Sequence, residues 1–189
     1  WYRSRGLGDV YKRQSYGGTI TLIEDISDVE KLKFSESSKV AFVTQTTLSV
    51  DDTQELKDSL INKFPDIIGP KKDDICYATQ NRQDAVKQLA LESDLVIVIG
   101  SENSSNSNRL REIAERSGVK AYLIDSVGDL PAECLEGKKR IGLTSGASAP
   151  EHLVSEVIDT LTKKYGFKLQ GNRTRTDEGI SFRLPKGLR

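Results

Sequence analysis

Seven of the eight residues from Ser101 to Asn108 are Ser or Asn, Glu102 being the exception. Hydroxyls and side-chain amides are neutral donors that can wrap phosphate oxygens without charging the site. Before this loop runs Val96-Ile97-Val98-Ile99-Gly100, and behind it Leu110, Ile113 and Ala114 recur at helical spacing. A junction of strand, loop and helix presents free backbone N–H groups and a positive dipole end, which suits an anion, above all a phosphate. Ser and Asn are equally the usual helix caps, so the loop alone fits a solvated helix start as well as a phosphate cradle. Two further loops, 44–49 (Thr44-Gln45-Thr46-Thr47-Leu48-Ser49) and 144–149 (Thr144-Ser145-Gly146-Ala147-Ser148-Ala149), repeat the composition. Neither GxxxxGK[ST] nor GxGxxG occurs, so no nucleotide fingerprint accompanies them.

The second chemical feature is the pair Cys76 and Cys134. They are far apart without a CxxC, which implies neither a disulfide framework nor a zinc ribbon and makes a reducing cytosol the default. A lone cysteine is ordinarily a small buried hydrophobe. Cys76 stands before a predicted helix, however, a position at the positive end of the helix dipole where a cysteine can act as a ligand as well as a core residue. Lys71 and Lys72 would assist, offset by Asp73 and Asp74. Cys134 falls in a short apolar helix and is read as core. His152, the only histidine, is read as solvent-facing, and Arg173 and Arg175 as a solvated charge cluster.

These groups need elements to hold them. A run of β-branched residues without polar alternation is a strand buried on both faces of a parallel sheet. Strands are predicted at 19–23, 40–43, 67–68, Leu95–Ile99, Ala121–Ile124, 141–143 and 180–184. Helical stripes fall at a short turn over 28–32 and at Leu56, Leu60, Ile61 and Phe64. Others fall at Val86, Leu89 and Ala90, at 131–135, and at Leu153, Val154, Val157, Ile158 and Leu161. Ser49 followed by Asp52 resembles a capping box with Asp in place of Glu. Alternating strands and helices predict an α/β fold with a parallel sheet, whose ligand loops lie at the carboxyl ends of the strands.

The 189 residues carry 28 basic and 28 acidic side chains, and no basic stripe points to nucleic acid. No apolar run approaches the roughly 20 residues of a membrane span, and no secretory h-region is present. Residues 1–14, with the only Trp, read as translated adapter sequence and are set aside. The chain contains no Met, and the native start is expected upstream.

Four segments in series resemble one family. They are Thr44-Gln45-Thr46-Thr47-Leu48-Ser49-Val50-Asp51-Asp52, and Gly69-Pro70-Lys71-Lys72-Asp73-Asp74-Ile75-Cys76-Tyr77-Ala78-Thr79-Gln80-Asn81-Arg82. With them stand Gly100-Ser101-Glu102-Asn103-Ser104-Ser105-Asn106-Ser107-Asn108-Arg109-Leu110 and Thr144-Ser145-Gly146-Ala147-Ser148-Ala149-Pro150. Together, over about 17–189, they are similar to 4-hydroxy-3-methylbut-2-enyl diphosphate reductases, the last enzymes of the non-mevalonate isoprenoid pathway.

The resemblance implies three similar α/β lobes, parallel sheets flanked by helices, around a 4Fe-4S cluster held by three cysteines. It implies the end of a second lobe at 15–70, the whole third lobe at 71–165 and a tail at 166–189. The implied reaction takes a hydroxyl from an allylic diphosphate with two electrons and two protons, giving isopentenyl and dimethylallyl diphosphates. By resemblance Cys76 is one cluster ligand, Thr46 with Thr47 lies beside the substrate hydroxyl, and Ser104, Ser105, Asn106 and Ser148 hold the diphosphate. Ferredoxin or flavodoxin is the implied electron donor, and the implied location is a bacterial cytoplasm or a plastid-like compartment. The other two cysteine ligands, the histidines and the glutamate of the family pattern are absent from this chain, so it is expected to be inactive alone. The alternative is a redox-inactive α/β module that binds phosphate and never holds a cluster.

Overall fold

A computed structural model describes residues 20–35, 38–70 and 74–170. The expected strand at 180–184, Arg173 and Arg175, Lys71, Lys72 and Asp73, and the 1–14 segment lie outside these residues.

The core is a parallel three-stranded sheet with β1 (Leu95–Ile99) between β2 (Ala121–Ile124) and β3 (Ile141–Ser145). Every residue of β1 is 0% exposed, and alternation explains how. Val96 and Val98 turn to one face, where they meet Val86 and Ala90 of helix α3 (Tyr77–Leu91) and Leu110, Ile113 and Ala114 of helix α4 (Ser105–Arg116). Leu95, Ile97 and Ile99 turn to the other, against Val157 and Leu161 of α5 (Glu151–Lys163) and Cys134 and Leu135 of a short 3-10 turn. A strand covered on both sides has no polar face to display, which is why its sequence does not alternate. The expected α/β fold with a parallel, helix-flanked sheet is present.

Strand β3 runs two residues beyond its predicted end. Thr144 and Ser145 pair with Val98 and Ile99, so they belong to the ladder and not to the loop. The helix expected at 131–135 is the 3-10 turn Ala132–Leu135.

Before the sheet lie α1 (Ile26–Lys31) and α2 (Val50–Lys63). Three strand expectations fail here, at 19–23 over its described residues, at 40–43 and at 67–68. Residues 20–23 form no strand, and the segment 40–43 keeps a single parallel bridge, Ala41 to Ile68. Phe42 N donates to Ile68 O at 2.9 Å and Ile68 N to Val40 O at 3.0 Å, and no longer ladder forms among the described residues. β propensity describes side chains that fit a pleated, half-buried surface, and without a flanking strand it does not order a backbone. Helix α4 ends in a Schellman motif at Gly118, whose φ of +87° favours glycine. Gly118 N donates to Glu115 O and Val119 N to Ala114 O.

Candidate anion-binding site and its neighbouring thiol

The three Ser/Thr/Asn loops meet at the carboxyl end of the sheet. Gly100 N donates to Ile124 O at 2.9 Å and Gly146 N to Ile99 O at 2.8 Å, so the loops after β1 and β3 leave by the same edge. Both close onto Ser107. A Cβ added to either Gly100 or Gly146 would collide with Ser107 Oγ. Glycine is required at both positions by this approach. The third loop joins through a hydroxyl pair, Thr47 Oγ1 donating to Ser105 Oγ at 3.0 Å.

Asn106 lies at the centre of this junction. It is 7% exposed, and neither its Oδ1 nor its Nδ2 has a partner. Leaving a buried polar group unpaired costs about 1–3 kcal/mol, so this amide is placed for something other than the fold. Ser104 caps α4 by accepting from Ser107 N at 3.3 Å, and its hydroxyl also accepts from Ser107 Oγ at 3.0 Å. Ser105 is half-buried and Ser148 is exposed in the loop after Gly146.

Helix dipoles separate the loops further. The first turns of α3 and α4 carry no acidic residue, whereas α2 begins with Asp51 and Asp52. Those carboxylates answer the α2 dipole from within the helix, and the N-termini of α3 and α4 stay open to an external anion. Asp52 makes only half of the expected capping box. Its N–H donates to Ser49 Oγ at 3.3 Å, but its carboxylate reaches across to Arg116 (2.6 Å) and Arg109 (3.3 Å) on α4. The pair with Asp52 holds the Arg116 guanidinium more firmly protonated.

Cys76 is the N-cap of α3, as expected, and its side chain makes no capping bond. It is exposed, while Cys134 is buried as expected. Burial, then the neighbouring Glu133, pushes the Cys134 thiol up. The N–H of Cys76 donates to Thr46 O at 3.2 Å, which seats the thiol-bearing residue against the exposed Thr46. Among the described residues no group of three or more His, Cys, Asp or Glu is gathered closely enough to hold a metal ion. The donor set at this point is therefore one thiol, which fits a single ligand of a cluster and not a whole cluster site. His152 is exposed, as expected.

Sequence reasoning overlooked two residues here. Ser107 is 1% exposed and is the stop against which both glycines pack. Gln83, also 1% exposed, bonds the backbone on either side of Ser49, at Leu48 of the 44–49 loop and at Val50 of α2. Its signal was a polar residue on the buried stripe Thr79, Gln83, Val86 and Ala90 of α3. Two surface depressions lie apart from this junction. One lies between α1 and α2 beside Val29 and Ser59, the other beside Ser49, Lys87 and Arg116.

Comparison with known proteins gives the same assignment from three directions. The chain is 58% identical over 176 residues to the 4-hydroxy-3-methylbut-2-enyl diphosphate reductase of Alcanivorax borkumensis, covering 93% of this chain and 56% of that protein. It is 60% identical over 173 residues to the enzyme of the same name from Saccharophagus degradans, covering 92% and 55%. The structure of the E-1-hydroxy-2-methyl-but-2-enyl-4-diphosphate reductase from Plasmodium falciparum superposes with a TM-score of 0.80 at 38% identity, over 88% of this chain and 53% of that one. The chain thus spans about half the length of the curated relatives it matches. The family model described as LytB protein matches residues 10–162, and the chain belongs to that family.

Proposed function

We propose that this chain supplies the diphosphate-binding loops and one cluster thiolate of a 4-hydroxy-3-methylbut-2-enyl diphosphate reductase. The observation that carries the proposal is Asn106, a buried amide with both polar atoms unpaired where the loops after β1 and β3 meet. An oxyanion there accepts from Nδ2 and from the free N–H groups of the first turn of α4, while Ser104 and Ser105 offer hydroxyls. Ser148 closes the same edge from the loop after β3. A neutral cradle suits a diphosphate whose charge is met by helix dipoles rather than by lysines.

Thr46 and Thr47 belong on the side of the substrate hydroxyl, between the diphosphate cradle and Cys76. The backbone bond from Cys76 to Thr46 makes the thiol and this loop neighbours. Cys76, exposed and uncommitted at a helix N-terminus, is the residue of this chain that would ligate iron. A bound 4Fe-4S cluster would supply the two-electron reduction by which the hydroxyl leaves as water, two protons being taken up. The remaining cluster ligands would come from outside the described residues. Electrons would come from a ferredoxin or flavodoxin, and the protein would work in a bacterial cytoplasm or plastid-like compartment. Among the described residues no helix is long and apolar enough to cross a membrane.

A second reading is a phosphate-binding module without redox chemistry, for which the unpaired Asn106 amide and the hydroxyls beside it would suffice. Anaerobic purification of the complete reading frame that carries this chain separates the two. The reductase reading expects bound iron and turnover of the allylic diphosphate with a reduced low-potential donor, both lost in Cys76→Ser. It also expects Asn106→Ala to raise KM roughly tenfold, since donors to a charged group are worth about 1.5–3 kcal/mol each. Pyrophosphate binding without iron in the complete protein would leave the module reading standing.

A further inference from the structure

Gln83 lies two turns into α3 from Cys76, on the face turned to the core, and is 1% exposed. A buried primary amide needs partners for its N–H donors and its oxygen, and this one gives one donor bond and its acceptor to a single segment. Its Nε2 donates to Leu48 O at 2.8 Å, and its Oε1 accepts from Val50 N at 3.3 Å. Those two groups bracket Ser49, the cap of α2, directly behind Thr46 and Thr47. The same helix holds the front of the segment through the Cys76 N–H on Thr46 O. The loop is therefore gripped at both ends by α3, once by backbone and once by the Gln83 side chain. Among the described residues its own region supplies no ladder that could fix it instead, the Ala41–Ile68 bridge being the one pairing formed there.

We infer that Gln83 is a positioning residue that sets the Thr46–Thr47 hydroxyls against Cys76 on one side and against Ser105 on the other. This rests on the reading of Thr46, Thr47 and Cys76 as one reacting neighbourhood, but its geometry can be tested apart from activity. An apolar side chain at 83 leaves Leu48 O and Val50 N without their partners. The loop then opens locally, while the sheet is untouched. A carboxyl at 83 discriminates further. Ionised, it repels Leu48 O and cannot donate. Protonated, it has the O–H and C=O that reproduce both bonds. Burial raises such a carboxyl's pKa, so the recovery should come at mildly acid pH.

The test measures residue-resolved amide protection factors, corrected for intrinsic exchange, on the 189-residue chain and on Gln83→Leu and Gln83→Glu. In Gln83→Leu, protection at the Cys76 amide should fall about tenfold, although that bond does not involve residue 83, while Gly100 and Gly146 stay within about twofold. In Gln83→Glu the loss should appear at about pH 8 and be largely reversed near pH 5. The inference is overturned by wild-type protection at Cys76 in Gln83→Leu. A parallel fall at Gly100 and Gly146 overturns it too, by making Gln83 a general stabiliser, as does a Gln83→Glu profile that ignores pH. A separate titration of the wild-type chain with inorganic pyrophosphate, read at the 104–106 amides, tests the phosphate reading. A flat titration beside an intact Gln83 effect would overturn that reading and leave the positioning role in place.

Discussion

The loops that meet at Asn106 are held in two different ways. Those after β1 and β3 grow out of a sheet whose central strand is wholly buried, and each is fixed by a backbone bond at its first residue. The 44–49 loop grows out of a segment with one bridge among the described residues, where Val43 is 82% and Ile68 61% exposed. Its order comes from elsewhere. Gln83 holds its end, Asp74 accepts from Thr44 N at 2.7 Å, Thr47 reaches Ser105, and Asp51 and Asp52 tie the first turn of α2 to Lys87, Arg109 and Arg116. One side of the site is thus set by packing, and the other by polar ties to the first. Packing fixes a position by excluding alternatives, whereas polar ties at a half-exposed surface can be exchanged for water.

The largest expected effect tests the packed side. Ile97→Ala removes a fully buried side chain from the middle of β1 and should cost about 2–5 kcal/mol in urea denaturation. Val43→Ala, at an 82% exposed side chain, should change stability by less than about 0.5 kcal/mol. Equal losses would erase the distinction.

Thiol chemistry comes next. Cys76 should react with a thiol reagent at the pace of an open site and Cys134 much more slowly, because Cys134 is buried and its thiolate disfavoured. Two equal rates would mean that the packed side opens as readily as the tied one. With only one accessible thiol among the described donors, anaerobic incubation of the 189-residue chain with iron and sulfide should leave no stable cluster absorbance after desalting.

Asn106→Ala should part stability from binding. Removing an unpaired buried amide should leave the chain as stable or up to about 1 kcal/mol more so, while pyrophosphate binding weakens about tenfold. A clear loss of stability in thermal melts would assign the amide to the fold instead.

Smallest are the surface charges. Asp52→Asn loosens ties whose side chains are part-exposed, and should cost under about 1 kcal/mol, a difference that high salt abolishes. Asp94 offers a pH test on the packed side. The N–H groups of Arg140 and Lys139, at 2.8 and 3.0 Å, hold its carboxyl below the usual range. A depressed folded pKa gives stability that is present above about pH 4 and lost as pH falls through the folded value. Asp94→Asn should therefore lower the melting temperature slightly at neutral pH and flatten the acid limb of the stability curve, the two proteins converging as pH falls below about 4.

How far the sequence could be read follows the same division. The unbroken run Leu95–Ile99, the helix start within the Ser/Asn loop and the Cys76 position before α3 were visible because local pattern and tertiary structure agree there. The strands expected at 19–23 and 40–43 were misjudged over their described residues, because a strand depends on a neighbour that its own residues do not encode. Asp52 was misjudged for a related reason. The spacing from Ser49 is right for a reciprocal cap, but Arg109 and Arg116, remote in sequence, compete for the carboxylate and win. Convergence of the loops after β1 and β3 on one edge was inferable from parallel topology, whereas the 44–49 loop reaches that edge without a strand of this sheet before it. The unpaired state of Asn106 was not, since it depends on which atoms fail to meet.

The contact of Gly100 and Gly146 with Ser107 also constrains how this chain can change by mutation. Alanine at either glycine strikes a hydroxyl that caps nothing itself and that the helix could lose, Ser107 being within α4 rather than at its end. Either substitution should thus be poorly tolerated alone and better tolerated in a background that already carries Ser107→Gly. Substitution at the three positions becomes order-dependent, and a saturation library made one position at a time would undercount the combinations that this corner of the fold accepts.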